Sequence, residues 1–424
     1  MHRHIDFFAL SFVQSPNLKS VTRAGTVPGG SAQCNDEVKT ATMTKTIRQI
    51  LTRDFLLGFF AQFIFATALN ILIPTLPVFL SRLESKETEI GVLIGAFSVS
   101  SLILRPFVGR VLSRIPERNF MIAGTLLFGL TCAAYLVAPP FWPFFIVRIL
   151  QGIGYAFFST ASFTLIANIS PEAHRGQSVS YFFLGYNISL ALGPSIGMFI
   201  INHYNFTVLF WVCSGLSLCA LLITYKLGTR QIVPSTDSPV EDSLFLSWKA
   251  IPPSINGFFF FLIWGALITF FPLYAINQGV TNPGPVFSTI ALMLVLGRTL
   301  GSKILDLYSR ESILLPCLIA FIVSPAILVF SRTLPLFILV GVIWGIGHAF
   351  FYPSLIVYVI DRAGSSRSQA MGTFTAISDL GLCLGPVLMG VMIHFTSYPV
   401  MFLCLAFIGV INLGYFYFFL REKK

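Results

Sequence analysis

A succession of apolar stretches, each long enough to cross a bilayer, leaves this chain few possible folds. A helix rises 1.5 Å per residue, so about 20 apolar residues match a hydrocarbon core of roughly 30 Å. Twelve such stretches occur, at 55–80, 89–112, 120–138, 143–168, 177–202, 206–227, 250–276, 284–307, 312–331, 335–360, 369–394 and 398–420. Lipid offers no hydrogen-bond partners, so each stretch must satisfy its own backbone as a helix. The fold class that follows is all-α and integral to the membrane. Only 10% of the 424 residues are charged, against about 25% in soluble domains. The surplus apolar surface has to face lipid. Glycine and proline inside several stretches fit this reading, because neighbouring helices can satisfy the freed backbone groups.

The net charge of +10 does not indicate nucleic-acid binding, because the basic residues lie in short loops and form no continuous face. They do set an orientation. With both termini cytoplasmic, the cytoplasmic segments from Lys45 onward hold 17 Lys and Arg, and the outer loops hold Arg82, Lys86 and Arg332. Short loops and this bias suit a bacterial inner (cytoplasmic) membrane. The seven cysteines form no C-x-x-C pair, so neither a metal site nor a disulfide framework is expected. No cofactor is expected.

Residues 1–54 form a cytoplasmic tail, and 1–42 are polar, mixed in sign and without periodicity. They are expected to be disordered, and Met43 opens a conventional lead-in to the first span. The run FFALSFV is too short for a signal peptide. The Pro-, Ser- and Thr-containing segment 228–249 is expected to be a cytoplasmic linker between six-helix bundles at 55–227 and 250–420, with a tail at 421–424.

The two bundles repeat each other. Residues 152–158 read GIGYAFF and residues 345–351 read GIGHAFF, 193 residues later. The same shift superposes Arg105 on Arg298 and Arg110 on Lys303. A shift of 192 superposes Arg175 on Arg367, Gln177 on Gln369, and Leu192-Gly193-Pro194 on Leu384-Gly385-Pro386. A period near 190 is too long for a solenoid and describes a duplicated six-helix unit. Parallel repeats of this kind build transporters whose site lies between the halves. Gly152 with Gly154, and Gly345 with Gly347, are therefore expected to be smooth patches where helices approach at the interface of the halves.

Over about 50–420 the chain resembles the major facilitator superfamily, most closely its drug:proton antiporter and sugar-efflux-like branch. The loop signature after span two is present in degraded form as Gly109, Arg110 and Arg114, with Ser113 and Pro116 at two signature positions. Its second copy keeps Lys303 and Asp306. The span-four signature stands as Arg148, Gln151, Gly152 and Gly154, and part of the span-five signature as Ser189, Gly193, Pro194 and Gly197. The resemblance implies a gating role for the loop motif, proton coupling through Arg148, and a monomer.

Charges inside a span are costly and usually face a cavity or a partner. Asp379 is a carboxylate deep inside a span, able to carry a proton or to pair with an arginine; its first-half counterpart is Asn187. Arg148 corresponds to Gly341, so its role is not symmetric. Arg105 and Arg298 read as gate or structural residues, and His348, in place of Tyr155, as a proton carrier or a packed histidine. Gln62, Asn70, Gln151, Tyr155, Asn187, Trp264 and Tyr274 are candidate contacts for a small-molecule substrate.

No enzyme signature occurs, and without a G-x-x-x-x-G-K-[ST] loop ATP is not the driving force. The expected function is secondary active transport by alternating access, proton-coupled and directed to efflux of a small amphipathic molecule. Uptake of a small organic anion is the second reading, and a non-transporting membrane sensor or scaffold the third.

Overall fold

The structure is a computed structural model that describes residues 51–112, 114–171, 175–228, 247–300, 307–363 and 367–420. The predicted N-terminal extension, most of the linker, the C-terminal tail, and the motif residues Ser113, Lys303 and Asp306 lie outside the described residues.

The described residues form helices α1 (Arg53–Arg82), α2 (Glu87–Val111), α3 (Glu117–Ala134), α4 (Trp142–Ile169), α5 (Arg175–His203), α6 (Phe206–Tyr225), α7 (Ile251–Asn277), α8 (Gly284–Leu300), α9 (Arg310–Phe330), α10 (Leu334–Ala363), α11 (Arg367–Phe395) and α12 (Tyr398–Tyr415). There is no strand among them. Ten are long and apolar enough to cross a membrane. The other two are α3, 18 residues long with Glu117, Arg118 and Asn119 in its first turn, and α8, described over 17 residues.

Local chemistry sets several helix starts. Thr52 accepts from the Phe55 N–H, Asn205 from Val208 N–H at 2.9 Å and Ser309 from Ser312 N–H, each satisfying a donor the helix leaves unpaired. Prolines lie inside the helices, among them Pro74 and Pro77 in α1 and Pro272 in α7. Threonine and serine hydroxyls donate to carbonyls one turn back, as Thr75 does to Ile71 and Thr269 to Gly265.

The helices before and after the linker pack in the same way. In the first six, Phe65 of α1 packs on Phe128 of α3 and Phe158 of α4, with centroids 4.8 and 4.0 Å apart. In the second six, Phe260 of α7 packs on Phe321 of α9 and Phe351 of α10 at 4.8 and 5.1 Å. The 193-residue shift carries Phe128 onto Phe321 and Phe158 onto Phe351, so each set is centred on the same kind of aromatic trio. α1 and α7 are the most buried of the long spans, whereas α6 and α12 turn most of their residues outward. That outward surface includes Trp211, Leu222, Leu403 and Phe407, which suits contact with lipid.

The repeated glycines correct one expectation. They pack inside each half, not between the halves. A Cβ on Gly152 would meet Phe97 O of α2 at 2.3 Å, and one on Gly154 would meet Gly124 O of α3 at 3.0 Å. A Cβ on Gly345 would meet Met293 Cβ of α8 at 2.6 Å, and one on Gly347 would meet Ala320 Cβ of α9 at 3.1 Å. Residues two apart on a helix lie about 200° apart, so each pair of glycines serves two neighbours at once. The phrase recurs because α4 and α10 are each wedged between two helices of their own half.

The halves meet elsewhere, chiefly along α2 with α11 and α5 with α8, with a smaller contact of α1 on α7. A Cβ on Gly91 of α2 would stand 2.3 Å from Pro386 O and 3.3 Å from Val387 Cα of α11. A Cβ on Gly284 of α8 would stand 2.8 Å from Ser195 Cα of α5. The repeat carries Gly91 onto Gly284 and Ser195 onto Val387, so the two seams are copies in the same register. One turn further along, Cys383 Sγ lies 3.7 Å from Gly95 O, and Ser288 Oγ donates to Ala191 O at 2.7 Å. These pairs too are related by the repeat.

Candidate functional site

Both seams are closed at one end, and among the described residues the α2–α11 seam is open at the other. At the end carrying the α1–α2, α5–α6, α7–α8 and α11–α12 loops, Gly91 and Gly390 press on backbone of the opposite half, and Asn202 Nδ2 donates to Thr281 O at 3.0 Å. Toward the other end the contacts between α2 and α11 stop among the described residues. Gly109 lies one turn beyond Arg105 on the same face of α2, and Gly372 two turns from Asp379 on α11. A Cβ at either would meet nothing within 4 Å.

Where the contacts stop, an ion pair crosses the seam between Arg105 of α2 and Asp379 of α11. Helical side chains lean toward the helix N-terminus, which brings the Arg105 guanidinium back along α2 to the level of Asp379. The same guanidinium lies over the Tyr155 ring of α4, 5.5 Å from its centroid. The side chains are 31% and 23% exposed, so the pair is not sealed into the protein interior. Asp379 stands alone in its depth among the described residues. The other described helical carboxylates, Asp54, Glu87, Glu89, Glu117, Glu311 and Asp361, lie within three residues of a helix end.

Around this pair the structure gathers several predicted residues and some the sequence reading missed. Tyr352 of α10 lies within Coulombic range of Asp379, Arg105 and Arg298, and Tyr186 of α5 within range of Tyr155 and Arg105. His348 packs on Phe260 at 4.9 Å, Trp264 at 5.8 Å and Tyr352 at 6.4 Å, centroid to centroid. Its Nδ1 is buried with no hydrogen-bond partner. Trp264 stacks on Trp344 at 5.6 Å. Tyr186, Trp344 and Tyr352 were absent from the sequence candidates. A signal for Tyr352 existed: it follows the repeated phrase directly, where the first copy has Ser159.

Arg148, Gln151, Gln62, Asn70 and Tyr274 are spent inside one half. Arg148 is buried, with Nε donating to Leu93 O at 2.9 Å and Nη2 to Ile94 O at 3.2 Å, both on α2. Its Nη1 donates to Gln151 Oε1 at 2.6 Å, an oxygen that also accepts from the Tyr135 hydroxyl at 2.6 Å. Arg148 thus ties α4 to α2. Gln62 accepts from Ser162, and Asn70 donates to Ser189 at 2.8 Å; both bonds bind α1 within its own half. The Tyr274 hydroxyl contacts Leu328 O and Ser331 O at 3.1 and 2.8 Å, anchoring the end of α9. Asn187 is half-buried on α5. Gly109, Arg110 and Arg114 of the loop motif are exposed. Gly193 packs on Asn70 of α1, and Gly385 on Leu262 of α7, while the carbonyl of Pro386 meets Gly91 across the seam. Among the described residues no cluster of His, Cys, Asp and Glu suits a metal ion.

Two sets of six helices meeting along two matched seams, closed at one end and holding charges at their middle, define a multi-pass membrane transporter. The chain belongs to the Major Facilitator Superfamily, whose sequence model matches residues 58–364 and again 254–424. It is similar to the staphylopine export protein of Staphylococcus aureus, with 24% identity over 82% of this chain and 91% of that protein. It is similar to the quinolone resistance protein NorA of Staphylococcus aureus, at 23% over 79% and 88%, and to multidrug resistance protein 2 of Bacillus subtilis, at 24% over 87% and 94%. In fold it resembles the nucleoside transporter NupG, with a TM-score of 0.72 at 15% identity, covering 88% of this chain and all of that one. It also resembles a bacterial homologue of the lysosomal transporter Spinster in an inward-facing conformation, with a TM-score of 0.68 at 14% identity, covering 88% and 96%.

Proposed function

We propose that this protein exports a small amphipathic molecule across the bacterial cytoplasmic membrane in exchange for protons, as a monomer whose six-helix halves rock about the central site. The observation that carries the reading is the ion pair between Arg105 and Asp379, which joins the two halves where the closed seam gives way to the open end. With the basic loops on the cytoplasmic side, the open end is the cytoplasmic one, and substrate enters from the cell. A proton on Asp379 cancels the charge that holds Arg105. The link across the seam then weakens, and protonation becomes a term in the balance between the two facing states. A proton returning down its gradient supplies about 2.3 kcal/mol per 100 mV of membrane potential. The export direction is supported by the three sequence relatives, whose names describe export or drug resistance.

The test uses everted membrane vesicles energised by respiration. Addition of a transported dye should release protons from the vesicle interior, and Asp379→Asn should abolish that release while leaving dye binding in place. Dye accumulation that persists unchanged when an uncoupler collapses the pH gradient would refute proton coupling. A set of dyes and drugs that wild-type vesicles never accumulate would refute export.

A further inference from the structure

The repeat builds the seam twice, but it fills the charged position once. Arg105 follows Gly91 along α2 at the same spacing as Arg298 follows Gly284 along α8. On the facing helices, Asp379 precedes Val387 along α11 at the same spacing as Asn187 precedes Ser195 along α5. Since Gly284 packs on Ser195 as Gly91 packs on Val387, Asn187 occupies the register opposite Arg298 that Asp379 occupies opposite Arg105. The second seam therefore has the arginine without the carboxylate. Arg298 shows what this leaves behind. Its Nε is buried with no hydrogen-bond partner, and among the described residues no ion pair reaches it. Among the described residues its titratable neighbours are Tyr352 and His348, neither of which is an anion. A guanidinium carries five donors in a fork that fits a carboxylate or phosphate, and leaving one buried and unsatisfied inside a membrane span is costly. The surfaces beside it are aromatic: His348 and Tyr352 themselves, then Trp264 and Phe260.

We infer that the molecule this protein carries is an organic acid with an aromatic body, whose carboxylate or phosphate docks on Arg298 in the place that Asp379 takes on Arg105. The inference rests on the export reading for its direction of movement, but the seat itself is a property of binding. Asn187 is then a specificity-determining residue, because a neutral side chain there keeps the seat open for the anion of the substrate.

Equilibrium binding separates the two readings. The purified full-length protein, in a neutral detergent, is titrated with fluorescein and with its cationic relative rhodamine 6G, and anisotropy is followed. Arg298→Gln should weaken fluorescein binding roughly 10–100-fold, the range for a lost charge-assisted pairing, and leave rhodamine 6G within about threefold. Arg298→Lys should retain part of the fluorescein affinity. Asn187→Asp, which removes no positive charge, should fill the seat with a carboxylate and weaken fluorescein binding by a similar factor. Equal losses for both dyes in Arg298→Gln, or unchanged fluorescein binding in Asn187→Asp, would overturn the inference. Arg298-dependent binding with no movement of either dye in energised vesicles would leave the seat standing and refute export.

Discussion

The closed end of the seam depends on glycines that admit no side chain, and this makes the balance between facing states a measurable quantity. Gly91 is the sharpest case. A methyl there would sit 2.3 Å from Pro386 O, 3.0 Å from Pro386 C and 3.3 Å from Val387 Cα. All three are backbone atoms, so no rotamer change relieves the clash; α2 and α11 must move apart. Overpacking of this kind costs typically about 1–3 kcal/mol. The cost falls on the closed-seam state and is absent when the seam parts, so Gly91→Ala should shift the equilibrium between facing states by about 5–150-fold. Gly109→Ala is the control, because its methyl would meet nothing within 4 Å. The assay is pulsed electron spin resonance between labels at Ser85→Cys and Ser397→Cys, which flank the seam in the α1–α2 and α11–α12 loops, in a cysteine-depleted background. Wild type and Gly109→Ala should give the same short-distance peak, and Gly91→Ala should lose amplitude there to a longer one. A Gly91→Ala distribution that matches wild type in a stably folded protein would refute the claim that backbone contact at Gly91 holds this end shut.

Three further outcomes are expected. Arg148→Ala should lower thermal stability by roughly 3 kcal/mol through loss of the bonds to Leu93 and Ile94 carbonyls, and Arg148→Lys should recover little, because one ammonium cannot span both carbonyls and Gln151; thermal unfolding of the purified variants checks this. Asp379→Asn should destabilise the chain by leaving Arg105 unpaired, and the double variant with Arg105→Gln should recover part of that loss, a coupling that a double-mutant cycle of unfolding midpoints measures. Tyr274→Phe should cost about 1 kcal/mol of stability, read from the same unfolding midpoints, and leave the ratio of dye affinities unchanged, because its hydroxyl contacts Leu328 and Ser331 carbonyls and faces no cavity.

The sites where the two halves differ are where the chemistry collects. Tyr155 against His348, Ser159 against Tyr352, and Asn187 against Asp379 are all substitutions between repeat copies; Tyr155, His348, Tyr352 and Asp379 belong to the cluster around the seam, and Asn187 holds the matching register on the second seam. Residues shared by both halves, such as Phe128 with Phe321 or Gly152 with Gly345, build the halves themselves. The arginines at 105 and 298 are shared in the sequence, yet they differ in what faces them. A duplicated fold supplies two equal frameworks, and the residues that differ between them decide what each can hold.

The class of the fold was legible in the residues alone. Apolar stretches of bilayer length leave only helices, because lipid satisfies no backbone group, and the 193-residue repeat shows that six of them are written twice. Asp379 was likewise marked as the carboxylate deep in a span. Which helix meets which came only from the packed molecule. Periodicity gives each helix a face but not the neighbour on that face, so Gly152 and Gly154 read as an interface between halves and proved to be the core of one. The pairing of Arg105 with Asp379 joins residues 274 positions apart, and no local pattern records such a contact. Only the packing of α2 on α11, copied in α8 on α5, shows that one arginine is answered by a carboxylate and the other by an asparagine.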